Sequence, residues 1–194
     1  IHIIDAELMG KGEKEKKDLY IEGVQNNGII NHYEYIINSE GTIEIRHVLK
    51  PEGKMPLWFP RIGLTLTVSD ALDQVKWYGR GPQENYPDRK TGYPMGIYAS
   101  TVQAMYEPYL MPQDYGLRTD VRWLQLTTDK GIGLQFKMNE WFNFNIYPYS
   151  TDNLTKAMYT YQLQKQKGMT LNLDYATTGV GCTARGVFGA YKAM

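Results

Sequence analysis

The sequence predicts an all-β fold, an antiparallel β-sandwich, on three observations. Apolar and polar residues alternate with period two in run after run. Turn-forming Asn, Asp and Gly fall between the runs, and helix-compatible stretches are scarce. Strands with one apolar face, joined by tight turns, bury that face by packing sheet on sheet. With 194 residues, of which 42% are hydrophobic, the chain can supply one sizeable core.

Taken in order, the elements follow from local chemistry. The chain opens on the strand-like "IHIIDAEL" without an initiator methionine, as expected of a segment of a longer polypeptide. The mixed-sign run "KGEKEKKD", Lys11 to Asp18, suits a solvated hairpin loop. In "TIEIRHVLK", Ile43, Ile45 and Leu49 point one way, and Glu44, Arg46 and Lys50 the other. In "RIGLTLTV", Ile62, Leu64, Leu66 and Val68 share a face opposite Arg61, Thr65 and Thr67. "DQVKWYG" is a strand ended by glycine and proline. "IGLQFKM" alternates through Ile132, Leu134, Phe136 and Met138. "FNFNI" sets Phe142, Phe144 and Ile146 against two asparagines. The turn signals "QNNG", "NSEG", "TDKG" and "QKG" lie between these runs. Helix is expected only as a turn or two in "STDNLTKAM", capped by Ser150 or Thr151, and more weakly in "ASTVQAMY". There is no repeat and no linker-like stretch, so residues 1–194 are expected to form a single β-sandwich domain.

Composition narrows the function. The 21 basic and 21 acidic residues cancel, which argues against nucleic acid or an anionic membrane as partner. No apolar run is long enough to span a bilayer. The single Cys182 excludes an internal disulfide and any cysteine-rich metal site, and leaves cytoplasm and periplasm both open. His2, His32 and His47 lack metal-ligand spacing, so no metal is expected. "GVGCTARG", residues 179 to 186, matches neither the phosphate-loop nor the dinucleotide pattern, so no cofactor is expected.

The least ordinary stretch is "WYGRGPQENYPDRKTG", residues 77 to 92. Glu84 and Asp88 could form a general acid–base pair. Pro82 and Pro87 bracket them, however, and forbid the helix that would set them on one face. The structural alternative is a turn in which Glu84, Asn85 and Asp88 bond backbone amides, with Arg80 or Arg89 as counter-charge. The 16 tyrosines, clustered in "YPYS", "MYTYQL" and "MYEPYLMP", could stack on sugar faces or simply cover sheet surface.

Three motifs in order, "VKWYGRGPQENYPDRKTG", "YEPYLMPQDYGLRTDVRWLQL" and "LNLDYATTGVG", closely resemble the C-terminal, fifth domain of the large β-galactosidases of glycoside hydrolase family two. The resemblance runs from about Lys76 to Gly181 and more faintly back to Ile1. It implies a galactose-mutarotase-like supersandwich, part of a retaining enzyme that cleaves terminal β-galactosides such as lactose. That parent uses two glutamates about 5 Å apart, carried by a barrel domain outside this chain. In the family this domain lines the active-site mouth and supports a homo-oligomer. The partners implied are thus a galactoside and the other domains of the parent.

On this resemblance Gly81, Pro82, Glu84, Asn85, Tyr86, Asp88 and Arg89 are framework residues, and the chain carries no catalytic residue. The departures from the family fall elsewhere. Where the family continues with Gly-Asp-x-Ser-Trp, this chain has Cys182, Thr183, Ala184, Arg185 and Gly186. Tyr159 stands where histidine is frequent, Thr177 where glutamine is, and Tyr115 where asparagine is common. The resemblance therefore implies a substrate edge made of Tyr159, Thr177, Thr183 and Arg185. It also implies accommodation of an acidic or otherwise substituted sugar beside plain galactosides. A stand-alone carbohydrate-binding module is the alternative.

Overall fold

The computed structural model describes the backbone of residues 2–4 together with residues 28–53 and 59–179. It is nearly all β, as expected, with every strand pair antiparallel. The chain divides into two compact units, Ile1–Leu57 and Trp58–Met194.

The first unit holds a three-stranded sheet of β1 (His2–Ile4), β2 (Gly28–Ile37) and β3 (Ile43–Glu52), in that spatial order. The β2–β3 hairpin turns through "NSEG": Gly41 takes φ +82°, and the Asn38 carboxamide oxygen accepts from the amides of Glu40 and Thr42. Register places Tyr33 opposite His47 and Glu34 opposite Arg46. The first pair stacks at 4.3 Å and the second forms an ion pair at 3.2 Å, the cross-strand contacts by which sheets hold register.

The second unit is the sandwich. One sheet is ordered β4 (Arg61–Val68), β11 (Met169–Thr177), β10 (Phe142–Tyr147), β7 (Arg118–Val121). The other is ordered β6 (Met95–Thr101), β5 (Gln74–Arg80), β8 (Trp123–Thr127), β9 (Gly133–Phe136). Alternate residues of the two inner faces make one core: Val75, Trp77, Leu124 and Leu126 meet Phe142, Phe144, Ile146, Leu171 and Leu173. Trp77 and Phe144 touch edge to face across the sheets, with ring centroids 5.9 Å apart.

Between β7 and β8 the chain switches sheets at one residue. Arg122 donates its amide to the Tyr78 carbonyl at 2.7 Å, and Asp120 just before it adopts φ +56°, a corner in an otherwise extended run. Among the described residues, helix is confined to α1 (Thr151–Lys156) and two short 3₁₀ turns, Gln103–Met105 and Thr160–Gln162. Ser150 caps α1 by accepting the Asn153 amide at 3.0 Å.

Two strands differ from the alternation as read. All six residues of β10 are buried, Asn143 and Asn145 included: Asn145 donates to Asp114 and to the Tyr115 carbonyl in the 106–116 segment, and Asn143 accepts the Asp120 amide and donates to the Thr177 hydroxyl. Ile132 and Leu134 are exposed, because β9 is a sheet edge; only Phe136 and Met138 of that run pack on the core.

Candidate functional site

The framework loop begins where β5 ends. The Trp77 indole donates to the Arg80 carbonyl at 3.0 Å, and Gly81 fits against the Trp77 and Tyr98 rings with no room for a larger side chain. Gly81–Pro82 is a cis peptide. Glu84 then turns inward, and its carboxylate is 7% exposed. It accepts the Gly116 amide and the Arg89 guanidinium at 2.9 and 2.8 Å, the Tyr86 hydroxyl at 3.1 Å, and the Tyr109 hydroxyl. Burial alone would raise its pKa. The bonds from Tyr109, the Gly116 amide, Arg89 and Tyr86 outweigh that and hold the carboxyl below its ordinary range. A carboxylate saturated by four donors has no proton to give and no lone pair aimed at a substrate.

Asn85 is fully buried and works the same way. Its carboxamide oxygen accepts the Thr119 amide and hydroxyl at 3.0 and 2.6 Å, its side-chain amide donates to the Gln83 carbonyl, and its backbone amide donates to the Leu117 carbonyl. Arg80 meets Asp120 rather than Glu84, and also donates to the carbonyls of Lys90 and Tyr93. Lys90 reaches the same Asp120 at 2.9 Å. These cations hold the Asp120 carboxyl low despite its burial, and they anchor the residue that takes the left-handed corner.

From Asp120 the bonding runs on to the end of β11. The Asp120 amide donates to the Asn143 carboxamide oxygen at 3.3 Å, and the Asn143 amide donates to the Thr177 hydroxyl at 3.1 Å. Thr178 donates its amide to the Pro60 carbonyl at 3.0 Å. Gly179 lies against Asp88: a Cβ there would come within 2.1 Å of the carboxyl carbon. The framework loop is thus the seat on which the exit of β11 is fixed. Asp120 and Asn143, which complete this link, were not singled out in the sequence; the period-two pattern places Asn143 on a polar face and says nothing of its partners.

Of the four residues expected at the substrate edge, Thr177 is held by this link. Tyr159 stands elsewhere, beyond the far end of β10 and after α1. It is exposed, and its ring stacks on that of Tyr161 at 5.4 Å and 8°. Thr183 and Arg185 lie outside the described residues, as does Cys182. The structure therefore brings together the framework residues with Thr177, but not Tyr159 with Thr177. His47 is bonded to Asn31 and stacked on Tyr33, and among the described residues no cluster of three or more His, Cys, Asp or Glu could hold a metal.

A second polar cluster was not legible in the sequence. It covers the outer face of the β4–β11–β10–β7 sheet. The fully buried Asp174 meets the Arg61 guanidinium at 2.9 Å as an ion pair without hydrogen-bond alignment. Arg61 also contacts Asp114 at 2.8 Å. Asn145 donates to Asp114, Asn172 donates to Asn145 and to the Tyr147 hydroxyl, and Thr65 donates to Asn172. Burial pushes the Asp174 carboxyl up to about 7; Arg61 opposes this, and the like charge of Asp114 adds to it.

Residues 6–191 match the family model described as "Beta galactosidase small chain". The chain is similar to a β-galactosidase of Priestia megaterium, 38% identical over 76% of this chain and 14% of that protein. It is also similar to one from Vibrio cholerae, 39% identical over 63% and 11%, and one from Pseudoalteromonas haloplanktis, 34% identical over 76% and 14%. It spans about a seventh or less of the length of these curated relatives.

Proposed function

The chain belongs to the β-galactosidase small-chain family, and from that premise we propose that it is the non-catalytic domain of a β-galactosidase-like glycoside hydrolase. In this reading it lines the active-site mouth of a parent that hydrolyses terminal β-galactosides and takes part in that parent's homo-oligomeric assembly. The galactose-mutarotase-like architecture belongs to the same proposal, as do Tyr159, Thr177, Thr183 and Arg185 as substrate-edge residues, with Tyr159 contributing from a separate place beside Tyr161, away from Thr177.

The observation that carries it is the state of Glu84. Its position in the family motif is occupied by a carboxylate bound to Tyr86, Arg89, Tyr109 and Gly116, which suits a scaffold and not an acid–base catalyst. The outer face of the β6–β5–β8–β9 sheet adds support. Tyr78 pairs there with both Ile97 and Trp123, and Ile97 is 63% exposed. Such an apolar patch suits packing against other domains of a longer protein. Retaining hydrolysis needs two convergent carboxylates, so the chain alone incubated with a nitrophenyl β-galactoside should match the buffer blank. Turnover abolished by Glu84→Gln would refute the scaffold role. Coding sequence upstream of Ile1 should supply a barrel with two glutamates; a gene without one would leave the stand-alone carbohydrate-binding module, for which the stacked, exposed Tyr159–Tyr161 pair speaks.

A further inference from the structure

The irregular segment from Tyr106 to Gly116 is pinned at two places. At the first, Tyr109 donates its hydroxyl and Gly116 its amide to Glu84. At the second, Asp114 accepts from Arg61 and from the Asn145 carboxamide, both at 2.8 Å. Tyr115 packs its ring on Tyr106 and Tyr147, but its buried hydroxyl has no hydrogen-bond partner among the described residues and adds no polar hold. Leu110 and Met111, both exposed, lie between Tyr109 and Asp114.

The two anchors differ in what stands behind them. Glu84 is saturated by four donors, whereas Arg61 is shared with a second carboxylate, Asp174 on β11, at 2.9 Å. Asp174 is fully buried, and neither of its oxygens has an aligned hydrogen bond among the described residues. Its seat is tight: a Cβ on Gly63 would come within 2.5 Å of its Oδ1. A buried carboxylate without donors is stabilised by a proton. The charged groups that face it are Arg61 from β4 and Asp114 from the covering segment. From β10, Asn143 lies opposite and is uncharged, and Tyr147 bonds Arg61 as a neutral phenol, pushed up to about 12 by burial.

We propose that Asp174, Arg61 and Asp114 form a proton-sensitive clasp, which holds the 106–116 segment firmly when Asp174 carries a proton and loosely when it does not. With Asp174 neutral, the Arg61 charge belongs to Asp114. With Asp174 ionised, two carboxylates compete for one guanidinium. The coupling is reciprocal. The charge of Asp114 disfavours ionisation of Asp174, so ionisation of Asp174 disfavours the docked position of Asp114 by the same free energy. The docked segment therefore binds the proton more tightly than the undocked one. Its hold is full at acid pH and weakens as pH rises through about 7. Glu84, held below its ordinary range, stays ionised throughout, so the first anchor does not respond. The clasp lies within the second unit and is independent of the β-galactosidase reading, so either can fail without the other.

The test is NMR on the whole chain, titrated over about two pH units either side of neutrality. It follows the Asp174 carboxyl carbon together with the shifts and relaxation of backbone amides. The carboxyl should titrate near 7. The amides of Leu110, Met111, Asp114 and Tyr115 should shift with the same midpoint and gain motion on its alkaline side, while those of Glu84 and Arg89 stay still. Asp174→Asn keeps the shape and remains neutral, so it should abolish the titration and leave the segment ordered at every pH. Asp114→Asn, at a half-exposed position, keeps an acceptor for Asn145 and removes the competing charge. It should move the Asp174 titration down by about one pH unit, the scale of a single neighbouring charge; a merely structural Asp114 would leave the midpoint in place. Three results would each overturn the proposal: an Asp174 carboxyl that does not titrate in this range, a titration that the amides of residues 110–115 do not follow, or a midpoint unmoved by Asp114→Asn.

Discussion

Glu84 and Asp174 are both buried carboxylates, and their surroundings drive them in opposite directions. Glu84 has four donors and is held ionised; Asp174 has one imperfectly aligned guanidinium and is pushed up to about 7. Replacing Glu84 by glutamine leaves Arg89 without its counter-charge and cannot satisfy every donor. It should therefore cost about 2 kcal/mol, the scale of hydrogen bonds to a buried charged group, read as a lower urea midpoint at unchanged slope. Asp174 predicts a pH dependence. Its folded pKa lies above its ordinary 3.8, so the folded state binds the proton more tightly than the unfolded chain. Stability from this group is full below 3.8, falls as pH rises towards about 7, and is flat above. Asp174→Asn should remove that slope and raise stability at pH 8 by on the order of 2 kcal/mol, measured by denaturant unfolding across the range. A slope that survives the substitution would locate it elsewhere. Glu84 and Asp120 act in the opposite sense, losing their contribution only as pH falls below their ordinary 4.5 and 3.8.

At the scale of elements, the framework loop and the end of β11 behave as one piece. The link is carried by Asp120, Asn143 and Thr177, and by the close seat of Gly179 on Asp88. Gly179→Ala should force the two apart and cost about 1–3 kcal/mol, the usual scale of overpacking, with amide shifts spreading over residues 84–93 and Thr177. Gly92→Ala is the control: nothing lies within 4 Å of its added methyl, so it should change little. A silent Gly179→Ala would mean that the loop does not seat the strand. The loop thus has a mechanical role: "GPQENYPDR" sets where the end of β11 and Gly179 lie. The sheet switch at Arg122 belongs to the same scale, since the Asp120 corner is held by Arg80 and Lys90 from that loop.

For the whole molecule, the described residues of the principal core lie between Leu66 and Leu173, all in the second unit. A chain shortened to residues 58–194 should therefore keep the near-ultraviolet dichroism of Trp77 and unfold in one cooperative transition. A broad, non-cooperative melt would show that the first unit is needed to hold the sandwich. The exposed Tyr78–Ile97–Trp123 face marks where the second unit would meet further domains under the proposed function.

The amino-acid sequence alone determined the fold class, because period two survives in any antiparallel sheet whatever packs on it. "RIGLTLTV" and "DQVKWYG" are strands, and Gly41 and Gly131 take the left-handed turns that "NSEG" and "TDKG" announce. The motif order also revealed the family, and the bracketing prolines pointed to a scaffold at Glu84. Which partners each polar group has was decided only by tertiary structure. "FNFNI" looks like a half-exposed strand, yet Asn145 is fully buried, because the covering segment from Tyr106 to Gly116 is distant in sequence and irregular. For the same reason Asp174 gave no sign of its environment, and Tyr115 none of its unpaired hydroxyl. A side chain's burial and protonation depend on what closes over it, and periodicity reports only which way it points.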